Sequence, residues 1–163
     1  MAKRSPPRDR YDDVPLSALL QSARRTYSEA VRREQASVGC EDLPGTGSHL
    51  LSAMHWSGAS LEAVIRWLGV TKQAVGQSVD LLVLRGYLER ARDPSDRRRV
   101  VLSLTSRGRK AGTAAQRAIE RVDRRLRQRI GPRKIDDTRA TLIELLEMGR
   151  RSRANLAPDL EVA

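Results

Sequence analysis

The chain reads as a mainly helical protein carrying one small β-hairpin. Three observations predict this. Apolar residues recur at helical spacing over most of the length. The period drops to two over residues 87–104 alone. In the middle of that stretch stands "DPSD", whose Asp and Pro suit a tight turn.

The elements follow in order. Residues 1–14 are polar, contain proline and are balanced in charge, and are expected to form a flexible arm. From Pro15, the positions Leu16, Leu19, Leu20, Ala23, Tyr27, Ala30 and Val31 define a helix that fades near Val38 and Gly39. "CEDLPGTGS" is a loop, after which Ser48 is expected to cap a short helix ending at Trp56. Ser60 caps a helix to Leu68, which Gly69 stops. Thr71 caps the next, whose Val75, Val79, Leu82 and Val83 make one stripe ending near Arg85 and Gly86. Two strands are expected at 87–92 and 99–104, with Val100, Leu102 and Leu104 alternating with Val101 and Ser103. Thr105 caps a long helix whose stripe is Ala111, Ala115, Ala118, Val122, Leu126 and Ile130, bounded by Gly131 and Pro132. A last helix over 134–149 carries Ile135, Leu142, Leu145, Leu146 and Met148, and residues 151–163 form a polar tail.

Composition narrows the setting. The 163 residues suit one domain, here 15–150, with long accessory helices. There is no Phe, and the aromatics are Trp56, Trp67, Tyr11, Tyr27 and Tyr87. A core of Leu, Val, Ile and Ala is therefore thin, and such a core invites a partner subunit. The longest uninterrupted apolar run, Leu81 to Leu84, is far too short to span a bilayer, so no membrane association is expected. The basic N-terminus leads into "SPPRDRYDD" rather than an apolar stretch, unlike a signal peptide. One cysteine, Cys40, forms no intrachain disulfide and points to a reducing compartment. The expected location is cytoplasmic.

Charge points to the partner. Arg supplies 27 of the 31 cationic side chains, and the formal net charge is +11. Residues 1–70 have a net charge of +1 and residues 134–163 of −1, whereas residues 71–133 have +11. A taste for Arg over Lys explains the choice of cation but not its segregation. A cationic field of this density is the footprint of a polyanion. Two short helices at a tight turn followed by a hairpin make a winged helix-turn-helix, here over about residues 46–105. The helices at 15–38 and 105–150 exceed what that unit needs, and they bury their stripes most economically against each other and a second subunit.

The segment "LGVTKQAVGQSVDLLVLRGYLERARDPSDRRRVVLSLTSRGRKA", residues 68–111, resembles the winged-helix core of the MarR (multiple-antibiotic-resistance regulator) family. The resemblance rests on the Leu-Gly-Val lead-in, Thr71, Val75, Val79, Asp80, Arg85-Gly86-Tyr87, the wing "DPSDRRR" and "LTSRGRK". The number and length of the flanking helices extend it over about 15–150. It implies a homodimeric bacterial transcription regulator, usually a repressor, often relieved by a small phenolic or other ligand or by oxidation. Two positions depart from the family's pattern. Ser95 stands where the wing usually has Arg, and Gly76 where the recognition helix commonly has Ser or Thr.

Residue chemistry agrees with that expectation. Lys72, Gln73, Gly76 and Gln77 lie opposite the Val75/Val79/Leu82 stripe; Gln pairs bidentately with adenine, and Lys reaches guanine or phosphate. Thr71 completes this set at the helix cap. Gly76 either lets the helix backbone approach the groove closely or is a neutral substitution; the sequence leaves both open. Arg97 and Arg98 stand at the hairpin tip, suited to the negative potential of a narrow minor groove, with Arg92 and Arg99 at the strand ends. Asp93 and Asp96 are expected to pair with those arginines and hold the wing's shape. Arg107, Arg109 and Lys110 adjoin the wing within reach of phosphates. Arg117, Arg121, Arg124, Arg125, Arg127 and Arg129 lie too far along a rod rising ~1.5 Å per residue. They are read as solvated, or as paired with acids such as Asp136, Asp137, Glu144 or Glu147 across a dimer.

Catalytic chemistry finds little footing. His49 and His55 are separated by about 240° on a helix, and with Cys40 and Asp42 they give no metal-ligand spacing. No phosphate loop, nucleophile elbow or paired-carboxylate motif occurs. No enzyme activity, metal or cofactor is expected. Cys40 is read as an ordinary cysteine, since oxidant-sensing relatives place theirs nearer the start of the first helix. The resemblance also implies a small-molecule effector pocket, for which Tyr27, Met54, His55 and Trp56 are the candidates. The expected partners are double-stranded DNA and a second copy of the chain. The alternative is a nucleoid-type architectural protein that binds DNA without regard to sequence.

Overall fold

The computed structural model describes residues 11–58, 63–64, 72–92 and 100–156, with backbone alone at 72–74, 100 and 152–156. Among them five helices and one hairpin occur: α1 (Leu16–Ala36), α2 (Gly45–Ser57), α3 (Lys72–Leu84), β1 (Leu88–Arg92), β2 (Val100–Leu104), α4 (Ser106–Ile130) and α5 (Pro132–Leu156). The expected winged-helix order is present. Of the helix expected from Ser60 to Leu68, only Ala63 and Val64 are described; both are helical and Val64 is buried.

α1 begins one residue after Pro15, as the proline's missing N–H and fixed φ favour. α2 differs from expectation at its start. It opens at Gly45 behind Pro44, so Ser48 lies inside the first turn, with its N–H donating to Pro44 O. The Ser48 hydroxyl donates instead to Gln35 Oε1 at 2.9 Å. Gln35 is buried on α1, and its Nε2 donates to Ala111 O of α4 at 3.3 Å. One amide thus joins three helices, and the need to satisfy it outweighs the use of Ser48 as a cap.

α3 ends in a Schellman motif. Gly86, at φ +70°, donates its N–H to Val83 O, and Tyr87 N donates to Leu82 O at 2.8 Å. The motif requires a left-handed residue, which glycine adopts without a Cβ penalty. It folds Tyr87 back beneath the helix, where Tyr87 and Leu82 are both 0% exposed. β1 and β2 then pair antiparallel, with Leu88 opposite Leu104 and Arg92 opposite Val100. Thr105 caps α4 as expected: its Oγ1 accepts from Gly108 N at 3.0 Å and donates to Gly86 O at 2.6 Å.

The chain divides into two compact units, Met1–Glu120 and Arg121–Ala163. The core of the first unit joins Cys40, Leu50, Leu51, Met54, Val64, Val75, Val79, Leu82, Tyr87, Leu88 and Ala111. A smaller cluster forms between Val31, Ala115 and Ala118. Of the expected stripes, Val75, Val79 and Leu82 of α3 and Ala111, Ala115 and Ala118 of α4 are buried, and Val83 is half-buried. Gly108 lies so close to the Tyr87 carbonyl that an added Cβ would stand 2.1 Å from its oxygen. The second unit comprises the end of α4, and α5. α5 starts at Pro132 and continues past Gly149 to Leu156, beyond the helix expected over 134–149 and into the expected tail. Arg and Ala are strong helix formers, and one Gly costs only about 1 kcal/mol.

Candidate nucleic-acid interface

Two elements of a winged helix can enter DNA grooves, the second helix of the helix-turn-helix and the wing. Here these are α3 and the hairpin β1–β2. Val75, Val79 and Leu82 hold α3 to the core, which turns the opposite face outward. On that face Gln77 is exposed and Gly76 half-buried, and a Cβ on Gly76 would meet nothing within 4 Å. Lys72 and Gln73 occupy the first turn, with their backbone helical. Thr71 lies outside the described residues. Arg92 is exposed at the end of β1. Arg97, Arg98 and Arg99, with Asp93, Ser95 and Asp96, lie outside the described residues, so the expected wing-tip pairing does too.

The hairpin is fastened to α3 directly. Arg90 of β1 donates through Nη2 to Asp80 of α3 at 2.7 Å. Both side chains are exposed, and such pairs contribute about 0–1 kcal/mol, which sets register more than stability.

At the root of the hairpin the arginines expected near phosphates are otherwise engaged. Arg107 Nη1 donates to Arg85 O at 2.7 Å, and Nη2 donates to Asp42 Oδ1 at 2.9 Å. Its guanidinium sits 4.4 Å from the centre of the Tyr87 ring, within cation–π range. Tyr87 itself donates its hydroxyl to Asp42 Oδ1 at 2.5 Å. Arg109 donates to Leu104 O and Ser106 Oγ. Arg107 and Arg109 thus bond the protein's own oxygens while remaining exposed, as Lys110 is. The Tyr87 hydrogen bond, helped by Arg107, holds the Asp42 carboxyl below its usual 3.8. Burial, together with the same bond, pushes the Tyr87 phenol above its usual value.

The effector-pocket candidates have different surroundings. Met54 is in the core, Tyr27 is half-buried on α1, and Trp56 is 73% exposed. His55 packs against Gly112, where an added Cβ would stand 2.6 Å from the His55 Cβ, and its Nε2 lies 3.4 Å from Thr113 Oγ1. Cys40 is buried at the edge of the core. Of the acids considered for pairing across a dimer, Glu147 accepts from Arg150 of its own helix at 3.3 Å. Among the described residues no group of three or more His, Cys, Asp or Glu could hold a metal ion. None of the described helices is long and apolar enough to cross a membrane.

Residues 41–99 match the model of the MarR family. No curated protein matches the chain. Among solved structures, one titled MarR is 24% identical, with a TM-score of 0.65 over 88% of this chain and 97% of that one. The S. aureus MepR–DNA complex is 17% identical, with a TM-score of 0.66 over 83% of this chain and 99% of that one. A MarR transcriptional regulator from Methanosarcina mazei is 19% identical, with a TM-score of 0.65 over 83% and 96%. At these identities the structural likeness speaks to the fold, and the family match speaks to the winged helix.

Proposed function

We propose that this chain, a winged-helix protein of the MarR family, is a sequence-specific regulator of transcription that binds duplex DNA as a homodimer and responds to a small ligand. The observation that carries the reading is the coincidence of three things in one segment. The family match at 41–99, the helix–hairpin geometry and the +11 of residues 71–133 all meet there. α3 is the major-groove reader, with Lys72, Gln73, Gly76 and Gln77 on its outward side and Thr71 at its start. The wing, with Arg92, Arg97, Arg98 and Arg99, is the minor-groove arm. Ligand response and repression are carried from the family resemblance, with Tyr27, Met54, His55 and Trp56 as candidate contacts. The dimer is supported by the second unit, whose apolar residues Leu142, Ile143, Leu145, Leu146 and Met148 are all exposed.

Two recognition helices in successive major grooves require a pseudo-palindrome with half-site centres about 10 bp apart. Footprinting on DNA flanking the chain's own gene, with and without candidate ligands, tests this. One protected palindrome with affinity falling steeply in salt supports the reading, whereas uniform coating favours an architectural protein indifferent to sequence. On the best operator, Arg97→Ala is expected to weaken binding by roughly 1–3 kcal/mol, and unchanged affinity would remove Arg97 from the interface.

A further inference from the structure

Simultaneous entry into a major and a minor groove demands a fixed relation between the recognition helix and the wing. Backbone pairing within the hairpin fixes only β1 against β2 and leaves that relation to other contacts. Thr105 ties the two ends of the hairpin to each other, through Gly86 O and the Thr105 N–H to Tyr87 O. Arg90 ties β1 to Asp80 of α3, and Asp42, Tyr87 and Arg107 tie the wing root to the α1–α2 loop.

We propose that Asp42, Tyr87 and Arg107 form a clasp that positions the wing root against the end of the recognition helix, and that Arg107 acts on DNA through this clasp rather than by touching it. The inference rests on the DNA-binding reading above. Four segments converge on the Arg107 guanidinium. One nitrogen binds the carbonyl of Arg85, just past the C-terminus of α3, where carbonyls lack helical partners and the helix dipole favours a cation. The other binds Asp42 in the α1–α2 loop and reaches Gly39 O at 3.5 Å. The plane stacks on Tyr87 at the entry to β1. Arg107 itself belongs to the first turn of α4, directly after β2.

Asp42 is also held from its own side. Cys40 N donates to Gln35 O at 3.0 Å, and Leu43 N to Cys40 O, so the loop cannot simply follow the wing. Tyr87 is fully buried, and its hydroxyl reaches out to the same Asp42 oxygen that Arg107 uses. A shared acceptor makes the three side chains one unit, which a single substitution should undo.

The clasp makes a prediction opposite in sign to that of plain electrostatics. Asp42→Ala removes the shared acceptor and with it a negative charge from a DNA-binding unit, so charge alone predicts tighter binding. A clasp predicts weaker binding by roughly two- to 150-fold, the range of coupling within one polar network. Tyr87→Phe changes no charge and should weaken binding in the same direction. The double variant should bind about as well as Asp42→Ala alone, because both remove the same bond. Arg107→Lys keeps the charge and would preserve a direct phosphate contact; the clasp requires it to weaken binding, because an ammonium cannot bridge Arg85 O and Asp42 while stacking on the ring. Affinities are measured on the footprinted operator by fluorescence anisotropy. Circular dichroism and titration of the binding-competent fraction with stoichiometric operator DNA ensure that only folded protein is counted, which removes a purely structural effect. Should Asp42→Ala fail to fold, Tyr87→Phe and Arg107→Lys decide the matter. Folded variants that bind as tightly as wild type, or tighter, overturn the clasp and leave the function intact. A wild-type protein without selective DNA binding overturns both.

Discussion

The two compact units draw on the same apolar residue types and reach opposite states of burial. In Met1–Glu120, Leu50, Leu51, Leu82 and Leu88 are all at most 4% exposed. In Arg121–Ala163 no described residue is buried, and Leu142, Ile143, Leu145, Leu146 and Met148 are 38–61% exposed. α4 runs through both and changes character on the way. Gly108, Ala111, Gly112, Ala114, Ala115 and Ala118 are buried, whereas Val122, Leu126 and Ile130 continue the stripe without burial. A helical stripe therefore specifies a face and leaves open what covers it. Small residues mark the half covered within the first unit, because only they allow another backbone so close. Larger ones mark the half that this chain itself does not bury.

The sharpest way to break that contrast is to enlarge the small half. A Cβ at Gly108 would stand 2.1 Å from a backbone oxygen, which no rotamer change relieves. Gly108→Ala is expected to cost about 3 kcal/mol in chemical denaturation, at the upper end for overpacking. A loss below about 1 kcal/mol would mean that α4 can move off the hairpin root without penalty.

The next test addresses the large half. Leu146 is 59% exposed and falls in the middle of the uncovered set. If a second copy covers it, Leu146→Glu places an unpaired charge in an apolar interface and should raise the dimer dissociation constant about thirtyfold or more, a loss of about 2 kcal/mol. Sedimentation at several concentrations reads this directly. A wild-type protein that sediments as a monomer at micromolar concentration would sink the homodimer itself.

How much could be read in advance follows the same division. Local rules carried the helix–hairpin order, the Thr105 cap and the buried Val75/Val79/Leu82 stripe, because propensity, period and capping chemistry agree there. Ser48 was misplaced as a cap because its partner, Gln35, is 13 residues upstream and on another helix. The extension of α5 to Leu156 escaped notice because a polar surface looks the same on a helix as on a tail. The internal bonds of Arg107 and Arg109 are hidden from the sequence for a related reason. Charge counts register a cation but not the carbonyl or carboxylate it already holds, and Asp42 lies 65 positions from Arg107. No local signal links such residues; only the topology brings them together.

The smallest expected effect comes from a glycine in the opposite situation to Gly108. Gly76 is inside α3, and a Cβ there would meet nothing within 4 Å. Gly76→Ala therefore adds no clash and removes backbone freedom from the unfolded chain, which should stabilise the protein by about 0.5–1 kcal/mol. In a chain of this size that is a rise of roughly 1–4 °C in Tm, resolvable by calorimetry. DNA affinity then separates the two roles the sequence left open. If the missing side chain only reflects drift, Gly76→Ala binds the operator as wild type does. If the helix backbone approaches the bases at this point, the methyl group holds it away. Affinity then falls while stability rises, a combination that a packing defect cannot produce. Destabilisation by Gly76→Ala would instead show that the outward face of α3 is not open, and would undo the contrast with Gly108.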